Sequence, residues 1–336
     1  MDAITVHTVQ SFRNTLAHSP ERHPMSDLHV IFGTGPVARA TLDALVRRDV
    51  RVRMVNRSGR FPGGDAPAGV EVLAGDARDE QFARHAAAGA SVVYQCLNPE
   101  YHEWIEVFPA LQNGVLAAAE AHGALLVSME NVYGHGRPDG APLTEQSPLN
   151  AHTRKGRLRN AMAEQLRLAQ QEGRVRVATG RASDYYGPGG GMASPMGDLV
   201  FPAVLSGGTA RLYGSPDRLH SYTFIPDIGE GLAVLGTDPR AVGRIWHLPN
   251  DPAPQTSRQM VETAFRLAGT RGRIAGTPTW IFRLLGLRDR TIREVVEMAY
   301  EFETDFVVDS TAIATELGVT ATPIDEAIER TFASYR

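Results

Sequence analysis

The sequence predicts an α/β protein with a doubly wound parallel sheet and a smaller, partly helical lobe towards the carboxyl terminus. From Leu28 onwards, apolar runs of strand length alternate strictly with stretches of helical periodicity. Such alternation is typical of parallel sheets whose crossover helices cover both faces. A glycine-rich turn, Gly33-Thr34-Gly35, joins the first strand to the first helix. A strand, a glycine turn and a helix in this order are the usual start of a Rossmann-like fold.

The predicted strands of the sheet are apolar runs bounded by polar residues or glycine. They lie at 28–32, 51–55, 70–74, 91–96, 124–128 and 174–179. Helical periodicity fills the intervals at 36–48, 79–88, 103–122 and 155–172. Beyond residue 180 the alternation loosens around the glycine-rich stretches 187–191 and 207–208, and a last helix is predicted at 323–333.

The composition is that of an ordinary globular protein, with 43% apolar residues, 21% charged residues and a formal net charge of −4. This charge gives no electrostatic reason to expect nucleic acid or an anionic membrane surface as a partner. The single cysteine, Cys96, cannot form an internal disulfide, and no apolar run approaches the roughly 18 residues that span a bilayer. No pair of residues has zinc-ligand spacing with a third ligand nearby. We therefore predict a cytoplasmic protein that acts on a small molecule and holds no metal.

The first glycine turn has the spacing that binds a dinucleotide. Gly33 allows the tight turn, Gly35 lets the backbone approach a pyrophosphate, and the small Ala38 lets the helix pack closely on the strand. The pyrophosphate would lie at the positive end of the helix. The residues predicted to bind it are Gly33, Thr34, Gly35, Pro36, Val37 and Ala38.

The second strand carries the signal for the type of dinucleotide. An enzyme that selects NAD normally places a carboxylate there for the ribose 2′-hydroxyl, about 20 residues after the glycine turn. This chain has Asn56-Arg57-Ser58-Gly59-Arg60, which contains no acid and two arginines. We therefore predict NADP(H) rather than NAD(H), with Asn56, Arg57, Ser58 and Arg60 around the 2′-phosphate.

Further motifs resemble the extended short-chain dehydrogenases/reductases, specifically the NAD-dependent epimerase/dehydratase group. They are Gly75-Asp76-Ala77-Arg78-Asp79, Asn131-Val132-Tyr133-Gly134, Leu143-Thr144-Glu145, Arg181-Ala182-Ser183-Asp184-Tyr185-Tyr186-Gly187-Pro188 and Phe224-Ile225-Pro226-Asp227-Ile228. The resemblance implies that Asp76 and Ala77 lie near the adenine, and that Cys96 and Leu97 lie near the ribose of the nicotinamide. It also implies a homodimer formed through the helix at 103–122.

The resemblance implies a division of the chain. Residues 27–185 would form the dinucleotide-binding Rossmann domain, to which 219–250 return. Residues 186–218 and 251–336 would form mainly the substrate-binding lobe. Residues 1–26 are polar and would form a flexible extension in front of the first domain.

The resemblance breaks at the residues that carry the chemistry. Members of this group normally have a serine or threonine shortly before the Tyr-Gly pair, and then a Tyr-x-x-x-Lys motif on the next long helix. Aligned on Tyr133, this chain has Met129 at the usual serine position, with Ser128 one residue earlier. The same count places Thr153 and Arg157 at the tyrosine and lysine positions. Arg157 would still bind ribose hydroxyls, because it offers five donors.

The proton normally supplied by the missing tyrosine must then come from elsewhere. The candidates are Tyr133, Lys155, Asp184 and Tyr185. Ser128, at the predicted end of the fifth strand, could hydrogen-bond a substrate carbonyl. Lys155 is the only lysine of the chain, and a lysine can trade protons when it is buried, whereas arginine stays charged. Its position, two residues from Thr153 and Arg157, predicts that it points away from their face of the helix. His220 precedes a predicted strand, and we expect a structural role for it.

Three functions remain open on these residues. The first is an atypical NADP(H)-dependent oxidoreductase that acts on a small organic substrate with a non-standard proton donor. The second is an epimerase or dehydratase that keeps its NAD(P) tightly bound. The third is a non-catalytic protein that responds to NADP(H), which the absence of the usual tyrosine favours. Tyr101 and Trp104, in a loop after the fourth strand, would suit a ring-bearing substrate.

Overall fold

A parallel sheet of seven strands lies at the centre of the protein in the computed structural model. The structure describes residues 27–288 and 290–336, and for residues 285 and 290–292 it describes the main chain only. The predicted N-terminal extension, 1–26, lies outside the described residues. The strands of the chain are β1 (Leu28–Phe32), β2 (Arg51–Asn56), β3 (Glu71–Ala74), β4 (Ala90–Gln95), β5 (Leu125–Asn131), β6 (Arg176–Ala182), β7 (Asp184–Tyr186), β8 (Thr209–Tyr213), β9 (Tyr222–Phe224), β10 (Ile245–His247) and β11 (Arg273–Thr277).

The helices that accompany these strands cover both faces of the sheet. They are α1 (Pro36–Val46), α2 (Glu80–Ala86), α3 (Trp104–His122), α4 (Arg154–Gln171), α5 (Phe201–Ser206), α6 (Ile225–Thr237), α7 (Ser257–Ala268), α8 (Thr279–Leu285), α9 (Arg290–Val296), α10 (Thr311–Leu317) and α11 (Ile324–Ala333). One apolar core joins the sheet to α1, α6 and α10, and the other joins it to α2, α3 and α4. The predicted doubly wound α/β fold is therefore confirmed.

The strand order explains where a ligand can bind. The sheet runs β10-β6-β5-β4-β1-β2-β3, and all its neighbouring strands are parallel. The chain leaves β1 towards β2 on one side and reaches β4 on the other, so the order reverses at this point. In open α/β sheets, ligands bind outside the carboxyl ends of the strands at such a reversal.

The smaller lobe has its own apolar core. Helices α5, α7 and α11 pack together there, with Phe201, Phe265 and Phe332 among the buried residues. Two short parallel pairs, β7 with β9 and β8 with β11, complete this part of the chain. Since β7 follows β6 almost directly, the lobe joins the sheet at its carboxyl edge. No helix in the described part of the chain is long and apolar enough to cross a membrane.

Candidate active site

The glycine turn after β1 has the geometry that a dinucleotide requires. Gly33 has a φ of 118°, and a Cβ atom there would lie 2.8 Å from the main-chain oxygen of Cys96, so only glycine fits between β1 and β4. Gly35 caps α1 without help from any described side chain, and a Cβ atom built on it meets no atom within 4 Å. The free N–H groups of the first turn therefore face open space, which fits a pyrophosphate.

The loop after β2 is held by Asn56 and presents its arginines to solvent. The Asn56 Oδ1 atom accepts hydrogen bonds from the N–H groups of Ser58 (3.0 Å) and Gly59 (2.7 Å). Its Nδ2 atom donates to the Thr34 Oγ1 atom at 3.0 Å and to the Arg60 main-chain oxygen at 2.7 Å. Asn56 thus shapes the loop, while the side chains of Arg57 and Arg60 are exposed. Neither arginine forms an ion pair with a described residue.

The residues predicted beside the adenine and the second ribose occupy different environments. Asp76 forms an ion pair with Arg78, and this hydrogen bond holds the pKa of the Asp76 carboxyl below its ordinary value. Ala77 is buried, and its main-chain oxygen lies against Gly114 of α3. The Cys96 thiol is turned into the core, where burial raises its pKa to about 12. Cys96 therefore offers a ligand its main chain rather than a thiolate.

Two tyrosines meet at the carboxyl edge beyond β4 and β5. The Tyr101 hydroxyl donates a hydrogen bond of 2.7 Å to the Tyr133 hydroxyl, and the Trp104 ring lies 6.1 Å from the Tyr133 ring. Burial raises the pKa of both phenols well above the ordinary value, so both remain protonated. Because Tyr101 is the donor, the proton of Tyr133 itself is left free, and it has no acceptor among the described residues.

The face of α4 that meets this pair differs from the prediction. Thr153 is the N-cap of α4, and its Oγ1 atom accepts a hydrogen bond of 3.0 Å from the Gly156 N–H group. Lys155 is therefore the first inward residue, and its Nζ atom lies 4.8 Å from the Tyr101 ring centroid. Arg157 is exposed and donates to the His152 main-chain oxygen at 2.7 Å. Lys155 and Arg157 thus lie on different faces of α4, as predicted, but it is Lys155 and not Arg157 that faces the tyrosine pair.

Lys155 is tied to the smaller lobe. Its side chain is 1% exposed and forms ion pairs with Glu294 and, at 3.1 Å, with Glu297. The Lys155 N–H group also donates to Glu297, at 3.2 Å. The lysine is therefore paired at both its ammonium and its main chain, so two carboxylates fix its ammonium in one place.

Arg159 was not predicted as a site residue. It lies one helical turn after Lys155 on the same face of α4, is 4% exposed, and donates to the Met129 main-chain oxygen at 3.1 Å. Its guanidinium lies 4.8 Å from the Phe108 ring, and its Nε atom has no described partner. Burial lowers the pKa of this guanidinium. The i, i+4 spacing from Lys155 was the signal that could have found it.

Ser128 lies inside the sheet rather than at its edge. Strand β5 continues to Asn131, and Ser128 pairs in register with Gln95 of β4 and Thr179 of β6. The predicted strand end at 128 was therefore too early. Ser128 is 1% exposed, so a substrate would have to reach below the strand ends to contact it.

Asp184 and Tyr185 begin β7, directly beyond the sheet edge. The Asp184 Oδ2 atom lies 2.9 Å from the His220 Nε2 atom, and the Asp184 charge contributes to the raised pKa of Tyr101 and Tyr133. Burial raises the pKa of Tyr185 to about 12. His220, expected to be structural, thus contacts a predicted site residue. Its ring also stacks on Phe306 at 5.6 Å, a member of the apolar cluster against which Tyr133 packs. In the described part of the chain, no group of three His, Cys, Asp or Glu side chains is arranged to hold a metal ion.

The model of the NAD dependent epimerase/dehydratase family matches residues 30–248. No curated protein was found to match.

Solved structures give the same picture of the fold. An epimerase from Methanothermobacter thermautotrophicus has a TM-score of 0.75 at 14% identity, with 92% of each chain covered. UDP-glucose 4-epimerase from Thermotoga maritima, solved with UDP-glucose, has a TM-score of 0.73 at 13% identity, with 92% of this chain and 98% of that chain covered. The dTDP-glucose 4,6-dehydratase from Streptomyces venezuelae, solved with NAD, has a TM-score of 0.73 at 18% identity, with 92% of this chain and 97% of that chain covered.

Proposed function

Because the chain belongs to the NAD-dependent epimerase/dehydratase family, we propose that it is an NADP(H)-dependent oxidoreductase of a small, ring-bearing carbonyl or alcohol substrate. The observation that carries the proposal is one phenol with a free proton, Tyr133, at the carboxyl edge of the sheet that also bears the open glycine turn. A bound nicotinamide supplies or accepts a hydride at the substrate carbon. The protein must then move the matching proton.

The cofactor-binding residues of the proposal follow the carboxyl edge. The turn from Gly33 to Ala38 binds the pyrophosphate, and the main chain of Cys96 and Leu97 lines the nicotinamide side. Arg57, Ser58 and Arg60 bind the 2′-phosphate, since the two guanidiniums are exposed and no described carboxylate pairs with either. Asp76 and Ala77 lie beside the adenine.

Arg159 takes the anchoring role that the sequence placed at Arg157. A guanidinium with 4% exposure and an unused Nε atom loses hydration without full compensation. Ribose hydroxyls near the carboxyl ends of β4 and β5 would satisfy it. Lys155 adds a second positive charge on the same face of α4, held in place by its two glutamates.

Tyr133 is the proton donor for a substrate oxygen in this proposal. The Tyr101 hydroxyl donates to the Tyr133 oxygen, so it holds the Tyr133 phenol in one orientation for the transfer. A positioned acid of this kind contributes roughly 10²–10⁴-fold to a rate. The rings of Tyr101, Trp104 and Tyr133 form an apolar wall, which suits a ring-bearing substrate.

An epimerase or dehydratase cycle is the second candidate. It is favoured by the fold of the sugar-nucleotide enzymes described above, one of which was solved with UDP-glucose. Such a cycle returns the hydride to the substrate, so the cofactor need not leave between turnovers. We further propose a cytoplasmic homodimer that associates through α3, where Ile105 is 47% exposed.

The test is a titration of the purified protein with NADPH and NADH, together with mass analysis of any cofactor that co-purifies. Selective, exchangeable NADPH binding followed by turnover of cyclic ketones or enones would support the oxidoreductase. Non-exchanging oxidised cofactor and conversion of a nucleotide sugar would support the second candidate. Failure to bind either dinucleotide would overturn both.

A further inference from the structure

A buried imidazole, that of His220, faces the carboxylate of Asp184 at the start of β7. The His220 Nε2 atom lies 2.9 Å from the Asp184 Oδ2 atom, and its Nδ1 atom lies 3.1 Å from the main-chain oxygen of Glu301. The side chain of His220 is 2% exposed and that of Asp184 is 10% exposed. The contact is therefore largely shielded from water.

The two contacts determine how many protons the pair holds. A carbonyl oxygen only accepts, so the Nδ1 atom of His220 must carry a proton. A neutral imidazole protonated there would turn its Nε2 lone pair towards Asp184, which repels an ionised carboxylate. The pair consequently holds one more proton, either on the Nε2 atom or on the carboxyl group of Asp184.

The imidazole is fixed in place by its neighbours. It stacks on Phe302 at 4.7 Å with an interplanar angle of 8°, and it lies 4.5 Å from the Tyr222 ring. The His220 N–H group donates to the Gln255 main-chain oxygen at 3.0 Å. A ring held this firmly keeps Asp184 in one orientation. The second oxygen of Asp184, Oδ1, has no hydrogen-bond partner among the described residues.

The charges around the pair leave His220 as its basic partner. No described arginine or lysine forms an ion pair with Asp184. Glu301 is 1% exposed and accepts a hydrogen bond of 3.3 Å from the Tyr300 hydroxyl. Burial, together with the charge of Asp184, raises the pKa of Glu301 well above its ordinary value, which disfavours ionisation of this carboxyl group. The other groups close enough to respond to the charge of Asp184 are the phenols of Tyr101, Tyr133, Tyr185, Tyr213, Tyr222 and Tyr300.

We propose that the Asp184–His220 pair is the proton reservoir of this active site, in which Asp184 returns the proton that Tyr133 gives away and His220 is a positioning residue. In the reducing direction, the substrate carbon gains a hydride and the substrate oxygen takes the proton of Tyr133. The pair then restores the Tyr133 O–H bond and regains its own proton from solvent. In the oxidising direction the same transfers run backwards. The inference rests on the proposed oxidoreductase function.

The proton count is tested without turnover. Nitrogen-15 NMR of the histidine rings and infrared spectroscopy of the carboxyl groups are recorded on the free protein near pH 7, for the natural sequence and for Asp184→Asn. We expect either a His220 ring with both nitrogens protonated or a protonated carboxyl band, and we expect the Asp184→Asn substitution to abolish that signal. A singly protonated His220 ring together with an ionised Asp184 would overturn the proposal, whether or not the protein binds NADP(H).

The catalytic part is tested with Asp184→Asn and His220→Gln, neither of which can exchange the proton. Both should lower kcat more than tenfold and remove one limb of its pH profile, while changing the Kd for NADPH less than twofold. His247→Gln is the matched control, since His247 is equally buried and its Nδ1 atom faces a main-chain oxygen, that of Asp309 at 2.9 Å. Its thermal unfolding reports the cost of replacing a buried histidine. If Asp184→Asn is folded and keeps the natural pH profile, the pair is not the reservoir even though the oxidoreductase proposal stands.

Discussion

Around β1 and β2 the ligand-facing groups are main-chain N–H groups and exposed arginines, whereas around β5 and β6 they are buried phenols, an imidazole and carboxyl groups. In the first region, Gly33 and Gly35 serve by having no side chain. In the second region, side chains meet across long stretches of sequence: the Tyr133 hydroxyl contacts that of Tyr101, and the His220 ring contacts Asp184. We propose that the first region binds the cofactor and that the second moves protons.

The difference shows how the chemistry can change while the fold stays the same. A backbone site depends on strand order and on two glycines, both of which this chain keeps. A side-chain site depends on which residues face inwards, and here Lys155 and Arg159 occupy the inward face of α4. If Thr153 and Arg157 stand at the usual tyrosine and lysine positions, as the sequence predicts, a different set of ionisable groups lies at this edge.

The largest effect is expected from removing the proposed acid. Tyr133→Phe keeps the ring but deletes the only proton that the Tyr101–Tyr133 pair leaves free, so we expect kcat to fall by roughly 10²–10⁴-fold. The Kd for NADPH should remain within about twofold. Turnover and binding are measured together by NADPH absorbance and fluorescence.

Tyr335→Phe is the matched control for this substitution, because Tyr335 donates to Asp198 at 2.9 Å away from the candidate site. Its turnover should be unchanged. If Tyr133→Phe keeps full activity, the phenol is not the proton donor. The proposal that the region around β5 and β6 moves protons would then lose its main support.

The buried ion pairs of Lys155 should give the next largest effect. Lys155→Met leaves Glu294 and Glu297 without their buried cation, which should lower the free energy of unfolding by about 3 kcal/mol. Lys155→Arg keeps the charge and is the control. Chemical denaturation at pH 7 measures both, and equal stability of the two variants would contradict the pairing.

The pH dependence of this effect has a definite sign. Burial opposes ionisation of Glu294, but the hydrogen bond and charge of Lys155 outweigh it and lower its pKa. A lowered folded pKa contributes stability above the unfolded value, about 4.3, and that stability is lost as the pH falls further. The difference in stability between the natural protein and Lys155→Met should therefore shrink below about pH 4.

The two glycines of the first turn separate folding from binding. Gly33→Ala places a Cβ atom 2.8 Å from the Cys96 main-chain oxygen at a φ of 118°, so we expect a loss of about 1–3 kcal/mol in stability and loss of cofactor binding. Gly35→Ala meets no atom within 4 Å. It should leave the melting temperature unchanged but weaken NADPH binding, because the added methyl group occupies space proposed for the pyrophosphate. Calorimetry of both variants, with and without NADPH, distinguishes the two cases, and unaltered binding by Gly35→Ala would contradict the placement.

The smallest effect concerns the choice between the two dinucleotides. Arg57→Ala removes one charge-assisted contact to a 2′-phosphate, worth roughly 1.5 kcal/mol, so NADPH should bind about tenfold more weakly while NADH is unaffected. Arg51→Ala, an exposed arginine at the opposite end of β2, should change neither. If Arg57→Ala weakens the binding of NADPH and of NADH equally, Arg57 does not bind the 2′-phosphate.

The fold was predictable because its signals are local. Val30, Ile31 and Phe32 are continuous apolar residues of a strand buried on both faces, and the glycine turn follows at once. The family motifs lie next to the strand ends that define the edge. Even where a boundary moved, as at Ser128, the strand itself was in its predicted place.

The region around β5 and β6 was less predictable, because its side chains contact residues that are distant in the sequence. Glu294 pairs with a lysine 139 residues away, and His220 meets Asp184 across 36 residues, so neither pairing leaves a pattern in one stretch of sequence. The start of α4 at Thr153 is marked locally by its capping hydrogen bond to Gly156. The inward position of Lys155, by contrast, depends on its contacts with Glu294 and Glu297, which lie far away in the sequence.

The carboxylate of Glu297 does two things at once: it pairs with the Lys155 ammonium and accepts the first N–H groups of α4. The position of α9 and the start of α4 are consequently parts of one thermodynamic unit. Suppose that a ligand binds more tightly when α9 is packed against α4. Because such coupling is reciprocal, binding of that ligand must then stabilise the packing of α9 against α4. For such a ligand, the affinity measured at the sheet edge would also report how well the smaller lobe packs on the sheet.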